Sequence, residues 1–166
     1  MINFLKNVVL ISIILLGAVN IYSVDNFGAQ GAKSDADLTL EKILIYSIQD
    51  EYLARAEYYA IMSKYGNVKP FFNIVNAEET HIKELIILFQ NYGFKVPDDN
   101  AKKYVVVPEN IKKALETGVQ AEIDNIAMYD LFLKKSLPKD VRDVFLNLEK
   151  GSESHLSAFR NNLKKY

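Results

Sequence analysis

A helix that carries a carboxylate or an imidazole in the middle of its apolar face can be buried only where something compensates that group. This chain has four such segments in succession. Read in steps of three and four, the first stripe is Leu44, Ile48, Glu51, Arg55, Tyr58 and Met62. The second is Phe71, Ile74, Glu78, His81, Leu85, Leu88 and Tyr92. The third is Ile111, Leu115, Gly118, Glu122, Ile126 and Tyr129, and the fourth is Val141, Phe145, Leu148, Ser152, His155 and Phe159. The period is that of helices and not of strands, and in every stripe the polar groups interrupt the apolar run at mid-length.

The boundaries follow from local chemistry. Helices are expected over residues 39–65, with Asp37 as N-cap and Gly66 as stop, and over 68–92, with Pro70 in the first turn and Gly93 as stop. Two more open at Pro108 and Pro138 and run over 108–135 and 138–164. Within each pair the link is a few residues, which makes two antiparallel hairpins. Between the pairs lie residues 94–107, with the extended run Tyr104-Val105-Val106-Val107. Two hairpins joined by a longer connection predict an all-α fold, a ferritin-like four-helix bundle with a crossover. A loose loop within a plain up-and-down bundle is the alternative that connection length leaves open.

The hairpins repeat each other. Tyr58 follows Glu51 by seven residues, as Tyr129 follows Glu122. Phe71 precedes Glu78 by seven, as Phe145 precedes Ser152. One Glu from each of two helices and a Glu-x-x-His pair from the others is the pattern of a dinuclear site in a bundle core. The candidate metal ligands are therefore Glu51, Glu78, His81, Glu122 and His155. Carboxylate oxygens and neutral imidazoles suit iron or manganese, as one ion or two. Ser152 departs from the pattern, standing where a fourth carboxylate is expected. Glu149, Glu153 and Glu84 are the nearest substitutes. The competing expectation is a metal-free network in which Arg55, one turn from Glu51, pairs with Glu51 or Glu78 and the histidines bond to Ser or Asn. Tyr58 and Tyr129 are either packing residues or hydrogen-bond donors to a bound oxygen species.

Composition removes several classes of function. There are 20 Lys and Arg against 21 Asp and Glu, for a net charge of −1, so no basic field exists to hold nucleic acid or an anionic membrane. With no cysteine in the chain, disulfides, thiolate metal sites and iron–sulfur clusters are excluded. Residues 1–23 are a different kind of sequence: Lys6 is their only charge and residues 8–19 are an unbroken apolar or small run. This reads as a signal peptide, hence an exported protein, periplasmic or secreted, with an uncleaved N-terminal membrane anchor as the alternative. Residues 24–37, polar and Gly-containing, read as a flexible leader to a helical domain over 38–166.

At Glu51-Tyr-Leu-Ala-Arg55, Phe72-Asn-Ile-Val-Asn-Ala-Glu78-Glu-Thr-His81 and Asn91-Tyr-Gly93 the chain resembles a bacterial ferritin-like domain family of unknown function. The likeness continues through Gly118-Val-Gln-Ala-Glu122 and Asn147-Leu-Glu-Lys-Gly-Ser152-Glu-Ser-His155-Leu-Ser-Ala-Phe159, and spans residues 38–164. More widely it is similar to rubrerythrins and bacterioferritins. That resemblance implies a di-iron site at Glu51, Glu78, His81, Glu122 and His155, with Ser152 a habit of the narrower family. It implies iron handling, or a metal-dependent oxidoreductase acting on peroxide or dioxygen. Lacking a cysteine-ligated electron-transfer domain, such a protein needs an external electron donor; a homodimer is compatible with it. The alternative function is a non-catalytic helical scaffold or binding domain.

Overall fold

The computed structural model describes residues 26–166, and all secondary structure in them is helical. The signal-peptide reading of residues 1–23 lies outside the described residues. Five α-helices follow one another: α1 Gly28–Ser34, α2 Leu40–Tyr65, α3 Phe71–Asn91, α4 Ile111–Leu133 and α5 Lys139–Leu163. A single 3-10 turn, Ala101–Lys103, sits between α3 and α4.

The ends of the long helices show why they stop where they do. Thr39, not Asp37, caps α2: its hydroxyl accepts the Lys42 N–H at 3.3 Å. Gly66 ends α2 at φ +82°, a conformation that any side chain would strain, and its N–H returns to the Met62 carbonyl. Asn110 caps α4 through the Lys113 N–H at 2.9 Å, so the helix begins just past Pro108.

Pairwise contacts fix the arrangement. Glu51 faces His81 and Tyr58 packs on Phe71, so α2 and α3 run antiparallel. Tyr129 packs on Phe145 and Ser152 bonds Asn125, so α4 and α5 do the same. Across the hairpins, Tyr58 meets Glu122 and Tyr129 meets Glu51, while Glu78 meets His155 and Asn147 meets Glu84. Both cross-hairpin pairs, α2 with α4 and α3 with α5, are thus antiparallel too. It follows that α3 and α4 point the same way, and residues 92–110 must travel the length of the helices to join them.

The segment expected as a flexible leader differs from that expectation. It contributes α1, which packs on α2 and α4 and buries Phe27, Ala29 and Ala32. Its first N–H groups are taken by α2 side chains: Gly28 donates to Gln49 Oε1 at 3.2 Å and Ala29 to Asp50 Oδ1 at 2.7 Å. Phe27 packs against Tyr104 of the crossover with tilted rings, 4.4 Å between ring centres.

The apolar core falls into two parts. One holds Leu44, Ile48, Leu85, Phe132, Phe145 and Leu148; the other holds Tyr58, Phe71, Ile74, Leu115 and Phe159. In the second, three rings contact one another at 5.2–5.7 Å between centres. Burying each large side chain contributes about 1.5–3 kcal/mol, which offsets the cost of the layer between the parts. That layer is polar: Glu51, Glu78, His81, Glu122, Asn125, Ser152 and His155, all buried.

Candidate metal centre

Each polar group of this layer comes from the middle of a long helix, and all but Asn125 from a stripe position. Glu51 comes from α2, Glu78 and His81 from α3, Glu122 and Asn125 from α4, and Ser152 and His155 from α5. The spacing of three between Glu78 and His81 puts them on one face, one turn apart. All five residues singled out from sequence come together.

Glu78 is at the centre. Its Oε2 is 3.2 Å from His81 Nδ1 and its Oε1 is 3.2 Å from His155 Nδ1, so one carboxylate reaches both imidazoles. Glu51 Oε2 is 3.1 Å from His81 Nδ1, and Glu122 Oε1 is 3.5 Å from His155 Nδ1. The two imidazoles stack with centres 5.7 Å apart. The result is two triads sharing Glu78, namely Glu51, Glu78 and His81, and Glu78, Glu122 and His155. In each, the ligand atoms lie within 4.8 Å of one another, and these buried groups could hold a metal ion.

Around them a second set of groups fixes the carboxylates. Tyr58 donates to Glu122 Oε1 and Tyr129 to Glu51 Oε1, each at 2.8 Å. The tyrosine seven residues after each outer carboxylate thus serves the other one. Both rings are buried, as the packing reading expects, and their hydroxyls are engaged by these carboxylates. Burial, and then the carboxylate beside each ring, holds both phenols well above their ordinary range, so they stay neutral donors. Asn125 donates to Asp50 Oδ2 at 2.8 Å and accepts from Ser152 Oγ at 2.7 Å. Ser152 therefore supports Asn125 instead of facing the triads. Asn125 and Asp50 were not singled out from sequence. Asn125 is three residues past Glu122, and that spacing was the available signal.

The substitutes for a fourth carboxylate stay outside. Glu84 accepts from Asn147 at the surface, Glu153 is exposed, and Glu149 lies on a half-buried flank beside Asp130. Arg55 also leaves the core, contrary to the metal-free network expected from its position. It bonds Glu79 at 3.0 Å and Asp99 of the crossover at 2.6 Å. No lysine or arginine enters the polar layer among the described residues.

The electrostatics follow from that absence. Burial, and then the Glu78 charge, pushes the Glu51 carboxyl up. Burial also acts on Glu78, but the imidazoles of His155 and His81 outweigh it and hold its carboxyl low. Burial opposes protonation of His81 and His155, yet Glu51 and Glu78 raise the first to about 10, and Glu122 and Glu78 raise the second to about 9. Protons on the imidazoles are thus the positive charge in the layer. They do not satisfy it fully: His155 Nδ1 is buried without a hydrogen bond, although carboxylate oxygens lie at 3.2 and 3.5 Å. The oxygen-and-imidazole donor set of the two triads fits a divalent transition metal.

Comparison with known proteins adds kinship. The profile of a family described as an uncharacterized protein domain (DUF2202) matches residues 41–107, which include Glu51, Glu78 and His81. The chain is 30% identical over 138 residues to the uncharacterized protein MJ0754 of Methanocaldococcus jannaschii, covering 74% of each chain. It also resembles the crystal structure of the hypothetical protein MJ0754 from Methanococcus jannaschii, with a TM-score of 0.69 at 25% identity. That likeness covers 80% of this chain and 85% of the other.

Proposed function

This chain belongs to the DUF2202 family, and from that premise we propose that it is a metalloprotein built on a ferritin-like four-helix bundle. The supporting observation is the pair of buried triads sharing Glu78, with the unbonded His155 Nδ1 between carboxylates. Glu51 and His81 hold one side, Glu122 and His155 the other, and Glu78 serves both. The antiparallel hairpins and the long connection between α3 and α4 support the ferritin-like reading.

Bound iron or manganese supplies one-electron redox chemistry there, which suits iron handling or reaction with peroxide or dioxygen. The protein's own part is positional. Tyr58 and Tyr129 fix the outer carboxylates, the stacked imidazoles present Nδ1, and the two apolar half-cores pack on either side of the layer. Ser152 makes the halves unequal, so two ions would be held with different affinities. With no cysteine in the chain, an external electron donor completes any turnover. The apolar run over residues 8–19 supports export of this metalloprotein, with an uncleaved N-terminal membrane anchor as the alternative.

The test is metal uptake. Protein purified without an affinity tag and reconstituted anaerobically with ferrous iron is expected to retain one or two ions after desalting, and the Glu78→Ala/His81→Ala variant to lose the tight site. Equal retention by parent and variant refutes the assignment. Failure of the folded parent to hold iron or manganese would favour a scaffold with a metal-free network.

A further inference from the structure

Beside the polar layer lies a cavity of about 650 Å³. It is bounded by α2, α4, the crossover and the start of α1. Leu53, Ala54, Tyr104, Val107, Pro108 and Ala121 give it apolar walls, and it reaches inward to Glu51, Glu122 and Ser152. Passage of water or an ion needs neither that volume nor those walls. The size is that of a pocket for an organic molecule.

Its charge narrows the choice. Besides the core glutamates, the lining carries Asp50, Glu57, Glu109 and Asp124 against one cation, Lys113, which Glu116 already engages at 2.8 Å. Such a field disfavours carboxylates, phosphates and sulfates. One wall group also has unused capacity. Asp50 takes the Ala29 N–H and the Asn125 amide, whereas the half-buried Glu57 has no hydrogen bond or ion pair among the described residues. Burial, and then the Asp50 charge, raises its carboxyl to about 7. A carboxylate left unpaired in a mainly apolar cavity is costly until a donor reaches it.

We infer that this cavity binds a small, mainly aliphatic molecule bearing a primary amine, its chain along the apolar walls and its ammonium group at Glu57. That the ligand lies beside a metal rests on the proposed function; that it binds does not.

The experiment is calorimetric titration of n-octylamine and octanoate into the full-length protein, metal-free and after iron reconstitution. Octylamine is expected to bind saturably at one equivalent in both forms and octanoate in neither. Glu57→Gln should weaken octylamine roughly tenfold or more, the scale of a lost charge-assisted hydrogen bond, with iron stoichiometry unchanged. Ala54→Phe, which fills the cavity, should abolish octylamine binding; far-ultraviolet circular dichroism and iron uptake verify that each variant folds. Octanoate binding as tightly as octylamine, undiminished binding by folded Glu57→Gln and Ala54→Phe, or no saturable binding by the parent overturns the inference. Octylamine binding to protein that takes up no iron leaves the cavity assignment standing and removes the metal reading. Iron uptake without octylamine binding does the reverse.

Discussion

Three glutamates and two histidines within one layer leave the protein a choice of cations: protons on the imidazoles or a metal ion between them. Among the described residues no lysine or arginine joins Glu51, Glu78 and Glu122 in that layer, and an uncompensated buried charge costs several kcal/mol. Because carboxylates raise His81 to about 10 and His155 to about 9, both imidazoles carry protons at neutral pH when no metal is bound. The sign of the pH dependence follows. Groups whose folded pKa lies above the ordinary histidine value of about 6.5 stabilise the metal-free fold fully below that value. That stability is lost as pH rises through about 9 and 10. A metal must displace the same protons, so its affinity should rise over the interval in which metal-free stability falls. Urea denaturation and competitive iron titration between pH 6 and 10 check the two trends together; parallel trends would mean that protons and metal do not share the site.

At the scale of an element, α5 depends on a glycine for a reason tied to the site. A Cβ at Gly151 would lie 2.7 Å from His81 Nε2, so the small residue on α5 allows the α3 imidazole to stand where its Nδ1 faces Glu51 and Glu78. Gly151→Ala should lower metal affinity about 10- to 100-fold, the usual effect of disturbing a group that orients a ligand. In metal-free protein its overpacking cost of about 1–3 kcal/mol is partly offset by a gain of about 1 kcal/mol in helix propensity. Loss of metal affinity without comparable loss of metal-free stability, by titration and urea melts, is the expected signature. The elements also show what the sequence could reveal. The four long helices were legible because their three-and-four spacing of inward residues continues over five or more turns, and the layer because its polar residues interrupt those stripes at one height. The helix α1 was not legible: GAQGAKS has linker composition, and its order comes from Asp50 and Gln49 of α2 capping it from outside its own sequence. Arg55 was misplaced for a related reason. Its Cα sits on the inward stripe, but its long side chain finds Glu79 and Asp99, and no local pattern places Asp99 there.

Over the whole molecule, the sequence repeat between hairpins becomes an approximate two-fold relation about Glu78. Tyr58 bonds Glu122 while Tyr129 bonds Glu51, and the stacked imidazoles exchange places. Exchange fails at one position, where Ser152 and Asn125 replace a second central carboxylate and join the layer to Asp50 beneath α1. All four long helices supply groups to the layer, so a bound ion ties the two hairpins together and should stabilise the fold by mass action. The most direct test of this account is anomalous diffraction from crystals grown with manganese. Anomalous density is expected among Glu51, Glu78, His81, Glu122 and His155, in contact with Glu78. Manganese found only at surface carboxylates, with the five side chains in the metal-free hydrogen-bonding pattern, would contradict it.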